Sequence, residues 1–267
     1  IESYVNNFDF NKANKIKKKY GKSDIVIIRH AIEHAYNIDS LLRNLKLLIN
    51  DSGYIIIEIP DCSKSIKSND YTVFWEEHIL YFSIETLNNF LLKSNFEIIS
   101  INKIPYKKGI EDSVIAIVKK QNQQISEKKY KKINNLDSIN FFKKYQNNKK
   151  IVRKNIIDMK KKINNQKIVI FGAGHISVSF ISFYNLEFLI DAAIDDNKHK
   201  NGMFLPIGNI PIFNSKYLLN HDTKICLLGL NPLNHEKIIN KFINFKKKGG
   251  LFLSIFPGVK TKAKNLY

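Results

Sequence analysis

The feature that most constrains this chain is a run of about thirty residues beginning at Lys167. An apolar, β-branched segment (residues 168–171) meets Gly172-Ala173-Gly174. An apolar helical stretch follows over residues 175–184, then a second strand-like segment (residues 189–194) ending in Asp195-Asp196-Asn197. A strand, a glycine turn, a helix and a second strand ending in acid form a β–α–β unit. The glycines admit a close backbone approach by a phosphate, and the helix N-terminus supplies N–H donors. Gly172 and Gly174 are therefore candidate substrate-binding positions, and the alternative is a tight turn in a packed α/β domain. Ser177 stands where the third glycine of GxGxxG would fall, which makes the signal one for a nucleotide rather than for a dinucleotide specifically.

The same alternation occupies the beginning of the chain. Residues 24–30 (DIVIIRH) have the pattern of a buried parallel strand. Residues 37–49 carry apolar side chains at helical spacing, Asp51-Ser52-Gly53 reads as a stop and turn, and residues 54–59 form the next strand, closed by Pro60. A long polar connection over residues 60–78 follows. Ser83 is a helix N-cap with Thr86 at the third helical position, opening a helix over residues 84–93. Two strands, residues 96–104 and 113–118, read as an antiparallel hairpin. Residues 121–165 are rich in Lys, Asn and Gln with spaced apolar residues, the pattern of amphipathic linker helices. The expected organisation is α/β: one domain over residues 1–120, a helical linker over 121–165, and a second α/β domain over 166–267.

Charge and cysteine content narrow the function. The net charge is +19, but among the 43 Lys and Arg residues only Arg29, Arg43 and Arg153 are arginines. Bidentate readers of bases and phosphates favour arginine, so the lysines read as solvated surface and no specific nucleic-acid partner is expected. The two cysteines, Cys62 and Cys226, lie far apart and build no zinc knuckle. Their scarcity suits a reducing, cytoplasmic compartment. No apolar run reaches the ~20 residues of a membrane span.

Two further clusters carry chemistry. His30-Ala31-Ile32-Glu33-His34 has the HxxEH spacing of inverted zinc peptidases, but that chemistry needs both histidines on one helix face, and His30 ends a strand. Its place at the carboxyl end of a parallel strand makes His30 a cofactor-binding candidate, because ligands of open α/β sheets bind there. No metal ligand is assigned. Glu77-His78 precedes an apolar segment. A carboxylate beside an imidazole raises its basicity only if the two side chains fold together.

Several of these segments line up with one family. Residues 24–34, 53–61 (GYIIIEIPD) and 77–83 (EHILYFS) in the first half fit together with 169–174 (VIFGAG) and Asp195-Asp196-Asn197-Lys198 in the second. Lys200, Gly202, Leu230-Asn231 and Phe256-Pro257 extend the match. The chain resembles the C-methyltransferases that act on nucleotide-linked deoxysugars. That resemblance implies two Rossmann-like domains: a class I methyltransferase domain that uses S-adenosylmethionine, and a second domain thought to hold the nucleotide of the sugar. It also implies a role in deoxysugar or surface-polysaccharide biosynthesis. His78 matches the family's proposed base, Glu77 the carboxylate beside it, and His34 a histidine that polarises the keto oxygen. Trp75 falls where an active-site tyrosine is expected, with Tyr71 and Tyr81 as substitutes. Asp196 is expected to accept from ribose hydroxyls, and Asn231 to line the same substrate site.

The family pattern begins before this sequence does. Its first strand with the donor's glycine loop, and a cysteine-bound zinc module, precede the part that matches Ile1 onward. The chain is therefore expected to be a C-terminal piece whose methyl-donor site is partial, with zinc confined to the missing module. Three other readings stay open: a related methyltransferase acting on oxygen or another sugar position, a non-catalytic sugar-nucleotide-binding module, and a nicotinamide-binding domain around Gly172.

Overall fold

A computed structural model describes residues 3, 8–74, 77–105, 111–121, 130–133, 136–164, 166–219, 222–257 and 264–267. The chain divides into two compact units. The first comprises residues 1–63, 76–106 and 111–134, and the second residues 64–75, 107–110 and 135–267.

The first unit opens with helix α1 (Phe10–Tyr20), strand β1 (Ser23–Arg29), helix α2 (Ile38–Leu48) and strand β2 (Ile49–Asp61). Asn37 caps α2 by accepting from the Ser40 N–H, and Leu42, Leu45 and Leu48 form its buried stripe. Asp51-Ser52-Gly53 does not turn the chain as its composition suggests. It lies inside β2, where the register against β1 jumps between the Ser23–Ile49 and Ile25–Tyr54 pairs. Gly53 is required at that irregularity, since a Cβ there would sit 2.8 Å from the Asp24 carbonyl oxygen.

Helix α4 (Ile84–Lys93) and the antiparallel pair β3 (Phe96–Ile104) and β4 (Asp112–Lys120) complete a four-stranded sheet of order β1-β2-β4-β3. The sheet is mixed: β1 runs parallel to β2, and β4 antiparallel to it. Ile55, Ile57, Ile59, Leu87, Leu91, Phe96 and Val114 form its core. The expectation of a buried β1 is corrected. β1 is an edge strand, and its Ile25 and Ile27 are 56% and 62% exposed because no described element covers that face.

The second unit holds helix α3 (Ser63–Ser68, whose first residue belongs to the first unit), helix α5 (Leu136–Lys162) and a parallel sheet. Its strands are β5 (Lys167–Phe171), β6 (Ala192–Ile194), β7 (Ile212–Phe213), β8 (Thr223–Leu228), β9 (Leu251–Ser254) and β10 (Lys264–Asn265), in the order β10-β9-β8-β5-β6-β7. Helices α6 (His175–Tyr184), α7 (His235–Lys241) and α8 (Ile243–Lys247) connect them. Alternation along β5 explains the layering. Ile168 and Ile170 pack with Val152 and Ile156 of α5 and Phe180 of α6, whereas Val169 and Phe171 pack with Ile238, Phe242 and Phe245. Covering both faces is what a parallel sheet demands.

Polar groups buried against α5 are satisfied. The Tyr71 hydroxyl donates to the Phe141 carbonyl at 2.8 Å, and that of Tyr145 to the Phe183 carbonyl at 2.7 Å. Among the described residues no helix is long and apolar enough to cross a membrane.

Ser83 and Thr86 cap α4 reciprocally, as the sequence indicates. Replacing Ser83 by Ala removes this box. The expected loss is about 1 kcal/mol, seen as a lower urea midpoint for the first unit with an unchanged slope.

Candidate functional site

In the first unit the HxxEH segment leaves the carboxyl end of β1 through a sharp corner. His30 adopts φ 47°, the left-handed region, while its N–H donates to the Glu58 carbonyl at 2.9 Å. The chain then makes a short 3-10 turn over Ile32–His34 rather than an α-helix. The two histidines are thus not stacked on one helix face, and the peptidase arrangement is absent from this segment.

Three hydrogen bonds join this turn to the segment around His78. The N–H groups of Ile79 and Leu80 both donate to the Glu33 carbonyl, at 2.8 and 3.1 Å. The third, His34 Nδ1 to the Glu77 carbonyl oxygen, measures 2.7 Å. They bring the His34 and His78 rings to 4.7 Å between centroids, nearly perpendicular, with Tyr81 a further 5.9 Å from His78. A carbonyl only accepts, so Nδ1 of His34 carries the proton and the ring lone pair lies on Nε2. Glu77 contributes its backbone carbonyl to this arrangement, and its side chain is exposed. Trp75 lies outside the described residues.

The carboxylate buried at this place is Glu33, which the sequence offers within the HxxEH segment but to which no role is assigned there. Its side chain is 2% exposed, and neither carboxylate oxygen has a hydrogen-bond partner among the described residues. Nδ1 of His30 lies 3.4 Å from one of these oxygens, and Nε2 of His30 lies 3.6 Å from Glu58. Glu58 is itself held by Arg29, whose guanidinium keeps its carboxyl below the usual carboxylate range. Glu33, His34 and His78 each offer a ligand atom, all within 4.8 Å of one another. The signal for Glu33 was its place between two histidines at the end of a strand. Its burial follows from the 3-10 turn, which spacing alone did not reveal.

In the second unit β5 lies between β6 on one side and β8 on the other, so the order in which successive strands are laid across the sheet reverses there. Ligands of such sheets bind beyond the carboxyl ends of the strands at that point. Gly172–Gly174 leaves β5 and Gly229–Asn231 leaves β8. The two loops touch: a Cβ on Gly172, which has φ 104°, would lie 2.9 Å from the Gly229 carbonyl oxygen and 3.3 Å from Leu230. Gly174 is the N-cap of α6 and has no side chain to cap it, and a Cβ there would meet nothing within 4 Å. Open space at a helix N-terminus is the arrangement that accepts a phosphate.

The acids that follow β6 are engaged within the fold. Asp195 accepts from the Ala173 N–H at 3.1 Å and from the Lys200 ammonium at 3.0 Å, and Lys200 also donates to the Ala173 carbonyl. Burial opposes its charge, but the N–H of Asn197, Lys200 and the N–H of Ala173 outweigh it and hold the carboxyl below the usual range. Asp196 accepts from the Ser215 N–H and pairs with Lys241 at 2.7 Å, while the Asn231 side chain caps Leu233. The structure thus sets Gly172 against Gly229 and Leu230, in the loop that carries Asn231, and ties the Asp196 carboxylate to Ser215 and Lys241.

Comparison with known proteins matches the chain to two family models, and the one nearer the carboxyl end begins at the start of β4, inside the first unit. The family model of the C-methyltransferase C-terminal domain matches residues 112–257, more than half of the chain, and a methyltransferase-domain model matches residues 2–101. The C-methyltransferase NovU of Streptomyces niveus is 24% identical over 87 residues, 33% of this chain. The match spans 21% of that relative's length. A SAM-dependent methyltransferase from Anabaena variabilis, known as a crystal structure, superposes with a TM-score of 0.32 at 14% identity, covering 41% of this chain and 54% of that one.

The two glycines of the turn into α6 should separate in their effects. Gly172→Ala places a side chain at a positive φ against backbone, and a loss of about 1–3 kcal/mol is expected. Gly174→Ala, in open space, should change stability by less than ~1 kcal/mol. Thermal unfolding of the two variants checks this.

Proposed function

Because the chain belongs to the family of the C-methyltransferase C-terminal domain, we propose that it forms part of a C-methyltransferase acting on a nucleotide-linked keto sugar. The observation that carries this reading is the joining of His34 and His78 by the three hydrogen bonds around Glu33. Two imidazoles at the carboxyl end of a parallel strand can serve proton removal next to a ketone, which needs a base and stabilisation of the oxygen that becomes negative.

In this reading His78 accepts the proton from the carbon beside the carbonyl. The C–H electron pair becomes the enolate double bond, and charge develops on the carbonyl oxygen. His34 assists that oxygen only as an imidazolium. Its Nδ1–H is committed to the Glu77 carbonyl, so a neutral ring presents a lone pair at Nε2 rather than a donor. In the second unit, taken by itself, the open N-terminus of α6 at Gly174 suits a phosphate, and the Lys200–Asp195 pair fastens the loop.

S-Adenosylmethionine is the methyl source that a methyltransferase domain implies. In the first unit the described glycines are Gly21, which ends α1, and Gly53, which is packed against Asp24 and Ile49. Neither forms a cradle beyond the strand ends. The described residues of this unit therefore do not fit the donor by themselves, and the chemistry they carry is that of the sugar.

Proton removal requires no methyl donor, which makes it testable on this chain. Incubated in deuterated water with a panel of nucleotide-linked keto sugars, the chain is expected to introduce deuterium beside the carbonyl. His78→Ala should slow this about 10²–10⁴-fold and leave sugar-nucleotide binding in place. Exchange at the wild-type rate removes His78 as the base. Binding without exchange for every sugar would favour a sugar-nucleotide-binding module.

A further inference from the structure

We propose that Glu33, His34 and His78 form a binding site for a divalent transition-metal cation such as Zn²⁺. Two imidazoles and a carboxylate are the donor set that zinc, iron, cobalt and nickel take from proteins. Here one ligand atom from each of the three residues lies within 4.8 Å of the other two. Ligands about 2.1 Å from a tetrahedral zinc ion are ~3.4 Å apart, so binding would draw the three side chains closer together than they stand here.

Two independent features point to a cation rather than to a chance grouping. The first is Glu33. A carboxylate that is 2% exposed and has no hydrogen bond to either oxygen from the described residues is a buried negative charge in need of a positive partner. Nδ1 of His30 lies 3.4 Å from one of these oxygens, and a metal ion bound between Glu33 and the two imidazoles supplies the positive charge that the buried carboxylate calls for. The second is the hydrogen bond from His34 Nδ1 to the Glu77 carbonyl at 2.7 Å. Metal-binding histidines almost always donate their other ring N–H to a carbonyl or carboxylate, which fixes the tautomer and directs the remaining lone pair to the metal. The bond that weakens His34 as a neutral donor to a ketone equips it as a ligand.

The site does not depend on methyl transfer. The two readings meet at His78: a ligated imidazole has no lone pair to give, so the cation-filled chain is the form that does not abstract a proton. Both cysteines are buried, and burial pushes the Cys62 thiol up to about 12 and that of Cys226 higher still, so thiolates do not compete for the ion.

The test uses the chain freed of metal by a chelator and then titrated with Zn²⁺ by calorimetry and with Co²⁺ by visible absorption, with no sugar or methyl donor present. One equivalent per chain is expected, with a cobalt spectrum of nitrogen and oxygen ligands and no thiolate band. His34→Asn and His78→Asn should each weaken binding about 10- to 100-fold or more, and Glu33→Gln likewise if it folds. His199→Asn, at an exposed position in the second unit, should bind as the parent chain does. Failure to bind one equivalent, or binding that survives both His34→Asn and His78→Asn with circular dichroism unchanged, overturns the proposal. Either result leaves the proton-exchange assay to be read separately.

Discussion

One carbonyl oxygen organises the first unit's chemistry. Glu33 accepts from the N–H groups of Ile79 and Leu80, and through that double hydrogen bond a segment far along the chain is held against the turn that follows β1. Together with the bond from His34 to the Glu77 carbonyl, it holds His34 and His78 side by side. The capping box of α4 fixes the other side of the same segment. Residues 77–83 therefore run between two anchored points, and a histidine in between has few positions open to it. Chemistry on this scale needs reacting groups held within fractions of an ångström, and backbone hydrogen bonds between two elements achieve that more firmly than solvated side chains.

The second unit solves a different problem by related means. Its sheet is parallel and covered on both faces, so the crevice at the carboxyl ends of β5 and β8 is where backbone polar groups meet solvent. Asp195 and Lys200 grip Ala173 from both its N–H and its carbonyl. The glycine loop is thereby held in shape by a charge pair, whereas in dinucleotide-binding sheets the acid at this place is turned to the ribose. The carboxyl of Asp195 is held below its ordinary range. Its contribution to stability is present above the ordinary aspartate range and lost as the pH falls through the lowered native value.

Much of this was legible in the sequence, because local rules and packing agreed. Asn37 and Ser83 declare helix starts, the apolar run at residues 168–171 declares a strand, and the glycines after it declare the turn into α6. The misreadings have physical causes. Asp51-Ser52-Gly53 has turn composition, yet the ladder to β1 absorbs it as an irregularity inside β2. Residues 24–30 have the apolar content of a central strand, yet β1 lies at the edge of the described sheet, since neighbours across a sheet are not written in a strand's own residues. Glu33 goes without a role in the sequence for a similar reason. Glutamate is an ordinary surface residue by composition, and only the three-dimensional turn buries it. Asp196, by contrast, was conspicuous in sequence and is engaged with Ser215 and Lys241.

The corner at residue 30 sets limits of its own on how this protein can vary. A side chain at φ 47° tolerates asparagine, aspartate or glycine with little strain, and resists valine or isoleucine because a branched Cβ crowds the backbone there. Replacement of His30 is thus filtered twice, once by the backbone and once by the carboxylates of Glu33 and Glu58 on either side of the ring. A polar, unbranched residue satisfies the first filter, but only a group able to carry positive charge satisfies both. The corner thereby ties the choice of side chain at position 30 to the two acids beside it.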